Sequence, residues 1–80
     1  MGELNRSVQG LRALVTGAAS GMGRATAEVL AADGAIVAVT DFNAAGAEAV
    51  AAAIGQKAWR LNVADKDEID RVVSEIAGAF

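Results

Sequence analysis

The residues with the clearest chemical meaning are the glycines of segment 16–23, which reads Thr-Gly-Ala-Ala-Ser-Gly-Met-Gly. Gly17, Gly21 and Gly23 lie between a short apolar run and an alanine-rich stretch with helical spacing. Glycines allow a tight turn, which leaves backbone N–H groups free at the start of the following helix, where the helix dipole also favours negative charge. The segment therefore predicts a phosphate-binding turn.

Each residue of this turn also has a structural interpretation. Gly17 can form the turn itself, Gly21 can relieve a steric clash, and Gly23 can allow close packing of helix on strand. Ser20 can cap the helix, and Met22 is expected to contribute its backbone N–H, with its side chain partly in the core. Phosphate-binding turns use the same structural properties, so the two interpretations are compatible.

Strand and helix patterns alternate around this turn with short connections. The predicted strands cover residues 11–16, 35–40 and 57–63, and the predicted helices cover residues 22–33, 44–54 and 66–80. The apolar residues of the first helix that follow its spacing are Ala25, Val29, Leu30 and Ala32. Asp65 is the expected N-cap of the third helix, and Glu68 three residues later approximates a capping box.

The order β-α-β-α-β-α predicts an α/β fold, a Rossmann-like doubly wound parallel sheet, of which this chain holds a portion with strand order 3-2-1. Right-handed crossovers would place the first two helices on one face of the sheet and the third helix on the other. Residues 1–10 are interpreted as a polar lead-in to the first strand.

Composition excludes several classes of function. The formal net charge is −3 with no basic cluster, which argues against nucleic acid or an anionic membrane as a partner. The chain has no Cys and no His, so thiolate chemistry and the commonest metal ligand are missing, and no metal site is expected. No stretch is long and apolar enough to span a membrane, and a cytoplasmic location is expected.

The pattern Thr-Gly-x-x-x-Gly-x-Gly on a first strand-to-helix turn resembles that of the short-chain dehydrogenase/reductase family. It differs from the Gly-x-Gly-x-x-Gly fingerprint because the middle glycine is displaced. The resemblance extends from residues 10–15 through 39–41 to 61–63. It implies that residues 1–80 are the N-terminal part of a single NAD(P)-binding domain.

The same resemblance gives Asp41, eighteen residues after Gly23, a role beyond that of an ordinary helix cap. It implies a carboxylate that accepts hydrogen bonds from both hydroxyls of the adenosine ribose. A 2′-phosphate would face this carboxylate, and Phe42 and Asn43 next to it supply no positive charge. One pair of unit charges 4 Å apart is worth about 4 kcal/mol at an effective dielectric constant near 20. NAD is therefore expected rather than NADP.

Asn62 and Val63 occupy the positions where the family usually has Asp-Val and binds adenine. The Asn62 amide oxygen can accept the same hydrogen bond as the usual aspartate, although Asn62 can also be a turn residue at the end of a strand. The complete set of expected cofactor-binding residues is Gly17, Ser20, Gly21, Met22, Gly23, Asp41, Phe42, Asn62 and Val63.

The catalytic residues that the resemblance implies, a Ser, a Tyr and a Lys, cannot be assigned in this chain. It contains no Tyr, and neither Lys57 nor Lys66 belongs to a Tyr-x-x-x-Lys pattern. The resemblance thus implies the cofactor-binding portion of an NAD-dependent oxidoreductase, a homo-oligomer (dimer or tetramer) that transfers hydride between nicotinamide and a small alcohol or carbonyl substrate. The alternative is a stand-alone dinucleotide-binding or interaction module without catalysis.

Overall fold

Three strands and three helices alternate along residues 9–80, the part of the chain that this computed structural model describes. They are β1 (Arg12–Val15), α1 (Gly21–Ala32), β2 (Ile36–Asp41), α2 (Ala44–Ile54), β3 (Lys57–Arg60) and α3 (Lys66–Ala79). All six predicted elements are confirmed, and residues 1–8 of the predicted lead-in lie outside the described part. The third strand ends at Arg60 rather than at residue 63, because Asn62 begins a turn in which its carbonyl accepts the N–H of Asp65.

The three strands form one parallel sheet, which confirms the predicted α/β class. Their order is β1-β2-β3, which corrects the predicted order 3-2-1. The correction concerns the edge from which the strands are counted, since β2 is the middle strand in either case. Within residues 9–80, β1 pairs with β2 alone, in a register that places Arg12 opposite Ile36.

The helices cover the two faces of the sheet unequally. Helices α1 and α2 pack on one face, where the largest buried cluster contains Val37 and Val39 of β2. Helix α3 packs on the other face against Ala38 and Leu61, with Trp59 partly buried beside them. The expected distribution of two helices on one face and one on the other is confirmed.

The face that α1 buries is different from the predicted one. Ala27 is fully buried, with Leu30 and Ala31 packed against the same cluster, whereas Val29 is 60% exposed. Most residues of α1 are small or apolar, so their spacing does not select one face. The face is set by Gly23, which touches the backbone of the preceding turn, because residues four, seven and eight positions later lie on the same side of a helix.

Candidate functional site

The glycine-rich turn, the end of β2 and the end of β3 meet at one edge of the molecule, because the carboxyl ends of parallel strands lie at the same edge of a sheet. The turn follows β1, Asp41 is the last residue of β2, and Asn62 follows β3 by two residues. Most of the candidate residues are therefore brought to one edge by the sheet itself.

Each glycine of the turn meets a specific backbone requirement. Gly17 and Gly21 have φ angles of +63° and +62°, in the left-handed region that favours glycine. Gly23 has an ordinary φ, but a Cβ at this position would collide with the carbonyl oxygen of Gly17 and lie 2.7 Å from its carbonyl carbon. The start of α1 therefore lies directly against the turn that precedes it.

The N-terminus of α1 differs from the other two helix starts. Asn43 caps α2 by accepting the N–H of Gly46 at 3.1 Å, and Asp65 caps α3 by accepting the N–H of Glu68 at 3.1 Å. Ser20, the N-cap residue of α1, makes no side-chain cap hydrogen bond to any described residue, and the first turn of α1 contains no acidic residue. The backbone N–H groups at this helix end and the positive end of the helix dipole are therefore available to an anion.

The Met22 side chain is 85% exposed, so the expectation that it lies partly in the core is wrong. The exposure of the Met22 side chain follows from the orientation of α1. Gly23 faces the preceding turn and Ala27 faces the core, so Met22, which is adjacent to Gly23, points outward. The role that was expected of Met22 rests on its backbone N–H, which lies in the first turn of α1.

Asp41 is half-buried and already engaged by backbone N–H groups on both oxygens. Ala19 in the glycine-rich turn donates to Oδ2 at 2.9 Å, and Asn43 at the start of α2 donates to Oδ1 at 2.8 Å. A carboxylate oxygen has two acceptor positions, so each oxygen can still accept a hydroxyl. The carboxylate is thus held in a fixed orientation with acceptor capacity left for a ligand.

Thr40, which sequence reasoning did not select, joins β2 to the same turn. Its side chain is completely buried, its Oγ1 donates to the carbonyl of Val15 at 2.7 Å, and its own carbonyl accepts the N–H of Ala18 at 3.0 Å. The available signal was a hydroxyl residue at the end of an otherwise apolar strand, because a buried hydroxyl needs a partner.

Arg60 is the second residue that sequence reasoning missed, and it changes the charge balance near Asp41. The two residues are partners in the β2–β3 register and therefore share one face of the sheet. The Arg60 guanidinium lies 4.7 Å from the centroid of the exposed Phe42 ring and pairs with Glu68 at 3.4 Å. Phe42 and Asn43, which follow Asp41 in sequence, carry no charge, but Arg60 lies beside Asp41 on the adjacent strand.

Asn62 and Val63 form a turn at the end of β3. The Asn62 side-chain oxygen accepts the N–H of Ala64 at 3.0 Å, which is the local turn role considered as an alternative, and Val63 is 62% exposed. Glu68 Oε1 accepts the Asn62 N–H at 2.8 Å, so Glu68 fixes this turn instead of completing the expected capping box. The Asn62 oxygen retains a second acceptor position for a ligand.

None of the helices found between residues 9 and 80 is long and apolar enough to cross a membrane. The same region holds no group of three or more His, Cys, Asp or Glu side chains that could bind a metal ion.

Comparison with known proteins gives a consistent assignment. The family model described as short chain dehydrogenase matches residues 12–80. The chain is 44% identical over 75 residues to 2,5-dichloro-2,5-cyclohexadiene-1,4-diol dehydrogenase of Sphingobium indicum, covering 91% of this chain and 30% of that protein. It is 46% identical over 71 residues to sorbitol dehydrogenase of Cereibacter sphaeroides, covering 86% and 28% respectively.

A solved structure also matches. The crystal structure of ribose-5-phosphate isomerase from Brucella melitensis 16M superposes with a TM-score of 0.87 at 39% identity, over 90% of this chain and 28% of that chain. The chain therefore spans roughly 30% of the length of the curated relatives that it matches.

Proposed function

Because this chain belongs to the short-chain dehydrogenase family, we propose that it is the cofactor-binding part of an NAD-dependent oxidoreductase. Membership indicates an oxidoreductase with a nicotinamide cofactor, NAD or NADP, and a small-molecule substrate. The proposed reaction transfers hydride between nicotinamide and an alcohol or carbonyl group. The observation that carries the proposal is the α1 N-terminus, which receives no side-chain cap from residues 9–80 and directly follows a glycine-rich turn that is hydrogen-bonded to Asp41.

The diphosphate of the cofactor is proposed to bind at the start of α1. Backbone N–H groups of Ser20, Gly21, Met22 and Gly23 are the candidate donors, and Gly17 and Gly21 give the turn the shape that leaves this space open. Anions at a helix N-terminus gain about 0.3–1 kcal/mol from the helix dipole when the site is exposed. Direct N–H hydrogen bonds to a charged acceptor add about 1.5–3 kcal/mol each.

The adenosine end is proposed to lie against Asp41, Phe42, Asn62 and Val63. Asp41 would accept the ribose hydroxyls, the Asn62 side-chain oxygen would accept the exocyclic amine of adenine, and the Val63 N–H would donate to the ring. The free acceptor positions on Asp41 and Asn62 support these contacts. Phe42 is exposed beside them and offers an aromatic surface.

NAD is proposed over NADP on the balance of charge around Asp41. A 2′-phosphate beside this carboxylate would meet repulsion on the order of 4 kcal/mol per pair of unit charges at 4 Å. Arg60 on the neighbouring strand acts in the opposite direction, but Glu68 pairs with its guanidinium and Phe42 stacks on it. Glu68 thus already compensates the Arg60 charge, whereas the Asp41 carboxylate forms no ion pair with any residue of the range 9–80.

The residues that perform the chemical step are proposed to lie in the remainder of a longer protein. This chain has no Tyr and no His, and the matched relatives extend well beyond the matched region. Two relatives named for different substrates, a chlorinated cyclic diol and sorbitol, match it at 44% and 46% identity. We therefore propose an alcohol or carbonyl substrate without selecting one. A homo-oligomer, dimer or tetramer, is proposed for the full protein on the family resemblance alone.

The proposal is tested by calorimetric titration of the full-length protein with NAD and with NADP. NAD is expected to bind at least about tenfold more tightly, a difference of 1.4 kcal/mol. Equal affinity would refute the charge argument, and no binding of either nucleotide would refute the proposed site. NAD binding without NADH formation across polyols, cyclic diols and simple alcohols would favour the alternative, a dinucleotide-binding module without catalysis.

A further inference from the structure

We propose that Asp41 is a positioning residue for the glycine-rich turn, and that it thereby couples recognition of the sugar to recognition of the diphosphate. This inference rests on the proposed function for the identity of the ligand. Its structural part depends only on contacts within the chain. Asp41 joins two segments that are 22 residues apart in sequence, since its Oδ2 accepts the N–H of Ala19 at 2.9 Å.

The Asp41 carboxylate is well placed to hold the turn because its other oxygen is itself fixed. Asn43 N–H donates to Oδ1 at 2.8 Å and so sets the orientation of the whole carboxylate. Hydrogen bonds to an ionised acceptor are shorter and stronger than those between neutral groups. The Ala19 N–H therefore has a strong acceptor in a single orientation.

Two other hydrogen bonds hold the beginning of the turn. Thr40 Oγ1 donates to the carbonyl of Val15, and the Thr40 carbonyl accepts the N–H of Ala18. Ala18 is completely buried, whereas the residues after it approach the surface. Asp41 thus holds the half of the turn that leads directly into the proposed diphosphate donors.

A second, independent feature shows that Ala19 has a defined position. Ala19 lies so close to α2 that a Cβ at Gly46 would be 2.8 Å from the Ala19 Cβ. Residue 19 therefore lies between two fixed groups, with its N–H on the Asp41 carboxylate and its methyl group against the first turn of α2. Removal of the carboxylate would leave the Ala19 N–H without its acceptor and release this side of the turn.

Two roles for Asp41 make different predictions for a ligand without ribose hydroxyls. If Asp41 contacts only the sugar, its removal weakens ADP but leaves 2′,3′-dideoxy-ADP unaffected. If Asp41 also positions the turn, its removal weakens both ligands, because both carry the diphosphate. Titration of the native protein and the Asp41 variants with both ligands therefore separates the contact with the sugar from the positioning of the turn.

The experiment titrates the full-length protein and its Asp41→Ala, Asp41→Asn and Asp70→Ala variants with ADP and 2′,3′-dideoxy-ADP. Asp41→Ala is expected to weaken the dideoxy ligand about fivefold or more, because binding must then order a turn that has lost an internal charged hydrogen bond, and part of that bond's energy is subtracted from the affinity. Asp41→Asn, which keeps one acceptor oxygen, is expected to be intermediate. Asp70→Ala, an exposed substitution on α3, should change neither affinity.

Hydrogen exchange of the Ala19 amide, measured by NMR without ligand, gives a readout that does not depend on the proposed function. Exchange is expected to accelerate in Asp41→Ala while the thermal midpoint of unfolding stays within a few degrees of native. Unchanged dideoxy-ADP affinity in Asp41→Ala would overturn the coupling to the diphosphate, and unchanged Ala19 exchange would overturn the positioning role. A native protein that binds neither ADP nor NAD would refute the proposed function, and Ala19 exchange alone would then decide the positioning role.

Discussion

The substitution Gly23→Ala tests whether nucleotide binding requires the close approach of α1 to the backbone of the glycine-rich turn. Its effect must be distinguished from the general effect of glycine on helix stability. The added methyl group would collide with the Gly17 carbonyl oxygen and lie 3.0 Å from the Thr16 carbonyl oxygen. Both obstacles are backbone atoms of the turn, so they cannot move aside as the end of a flexible side chain can. Overpacking of this kind costs about 1–3 kcal/mol.

Helix propensity acts against part of this cost. Alanine is about 1 kcal/mol more favourable than glycine inside a helix, so the net loss of stability is expected to be about 0–2 kcal/mol. Nucleotide affinity should fall more, because relief of the collision requires movement of the turn that presents the proposed diphosphate donors. A loss of about tenfold or more in NAD affinity, or 1.4 kcal/mol, is expected.

Gly78→Ala is the matched control for this substitution. Gly78 lies in α3, and a Cβ there would meet no atom within 4 Å. It should leave NAD affinity unchanged and raise stability by as much as about 1 kcal/mol, less if the helix end is frayed. Urea unfolding and calorimetry of the full-length variants measure both quantities. Native NAD affinity in Gly23→Ala would refute the claim that this close approach shapes the binding site.

Three further substitutions test other contacts of the site. Glu68→Gln keeps an oxygen acceptor but removes the charge that pairs with Arg60. In paired titrations, NADP affinity should therefore rise several-fold relative to NAD affinity. An unchanged ratio of the two affinities would count against the proposed charge balance. Thr40→Val should lower unfolding stability by about 1–3 kcal/mol, because it removes a buried hydrogen bond, whereas the exposed Thr26→Val should cost less in the same urea series. Asn43→Ala should cost about 1 kcal/mol in urea unfolding through loss of the α2 cap, and an unaffected midpoint would contradict that role.

The sequence was sufficient to predict the helices and strands that are determined by local residue patterns. Residues 44–54 were predicted as a helix with its observed bounds, because the apolar spacing is helical and Gly55, which has a φ of +71°, follows the last residue. It was insufficient for the orientation of α1, since a helix made largely of Ala and Gly has no distinctive apolar face. There the deciding contact is steric, between Gly23 and the turn, and it becomes visible only when helix and strand are packed together.

The candidate site shows the same division between local and long-range information. The glycine-rich turn and Asp41 could be selected from sequence because their residue types and spacing are unusual. Arg60 could not, because it lies nineteen positions after Asp41 and approaches it through strand pairing. Thr40 was overlooked because its hydroxyl matters only for the carbonyl it reaches on β1.

Because of the strand register, the proposed preference for NAD depends on a network of charged residues rather than on one acid. Asp41 and Arg60 lie on the same face of adjacent strands, and the start of α3 brings Glu68 to the Arg60 guanidinium. Glu68 in addition holds the turn at Asn62, so one carboxylate influences both the charge at the proposed ribose position and the geometry at the proposed adenine position. A change of preference from NAD to NADP should therefore require release of Arg60 as well as replacement of Asp41. Replacement of Asp41 alone would remove the repulsion and, at the same time, loosen the turn that is proposed to bind the diphosphate.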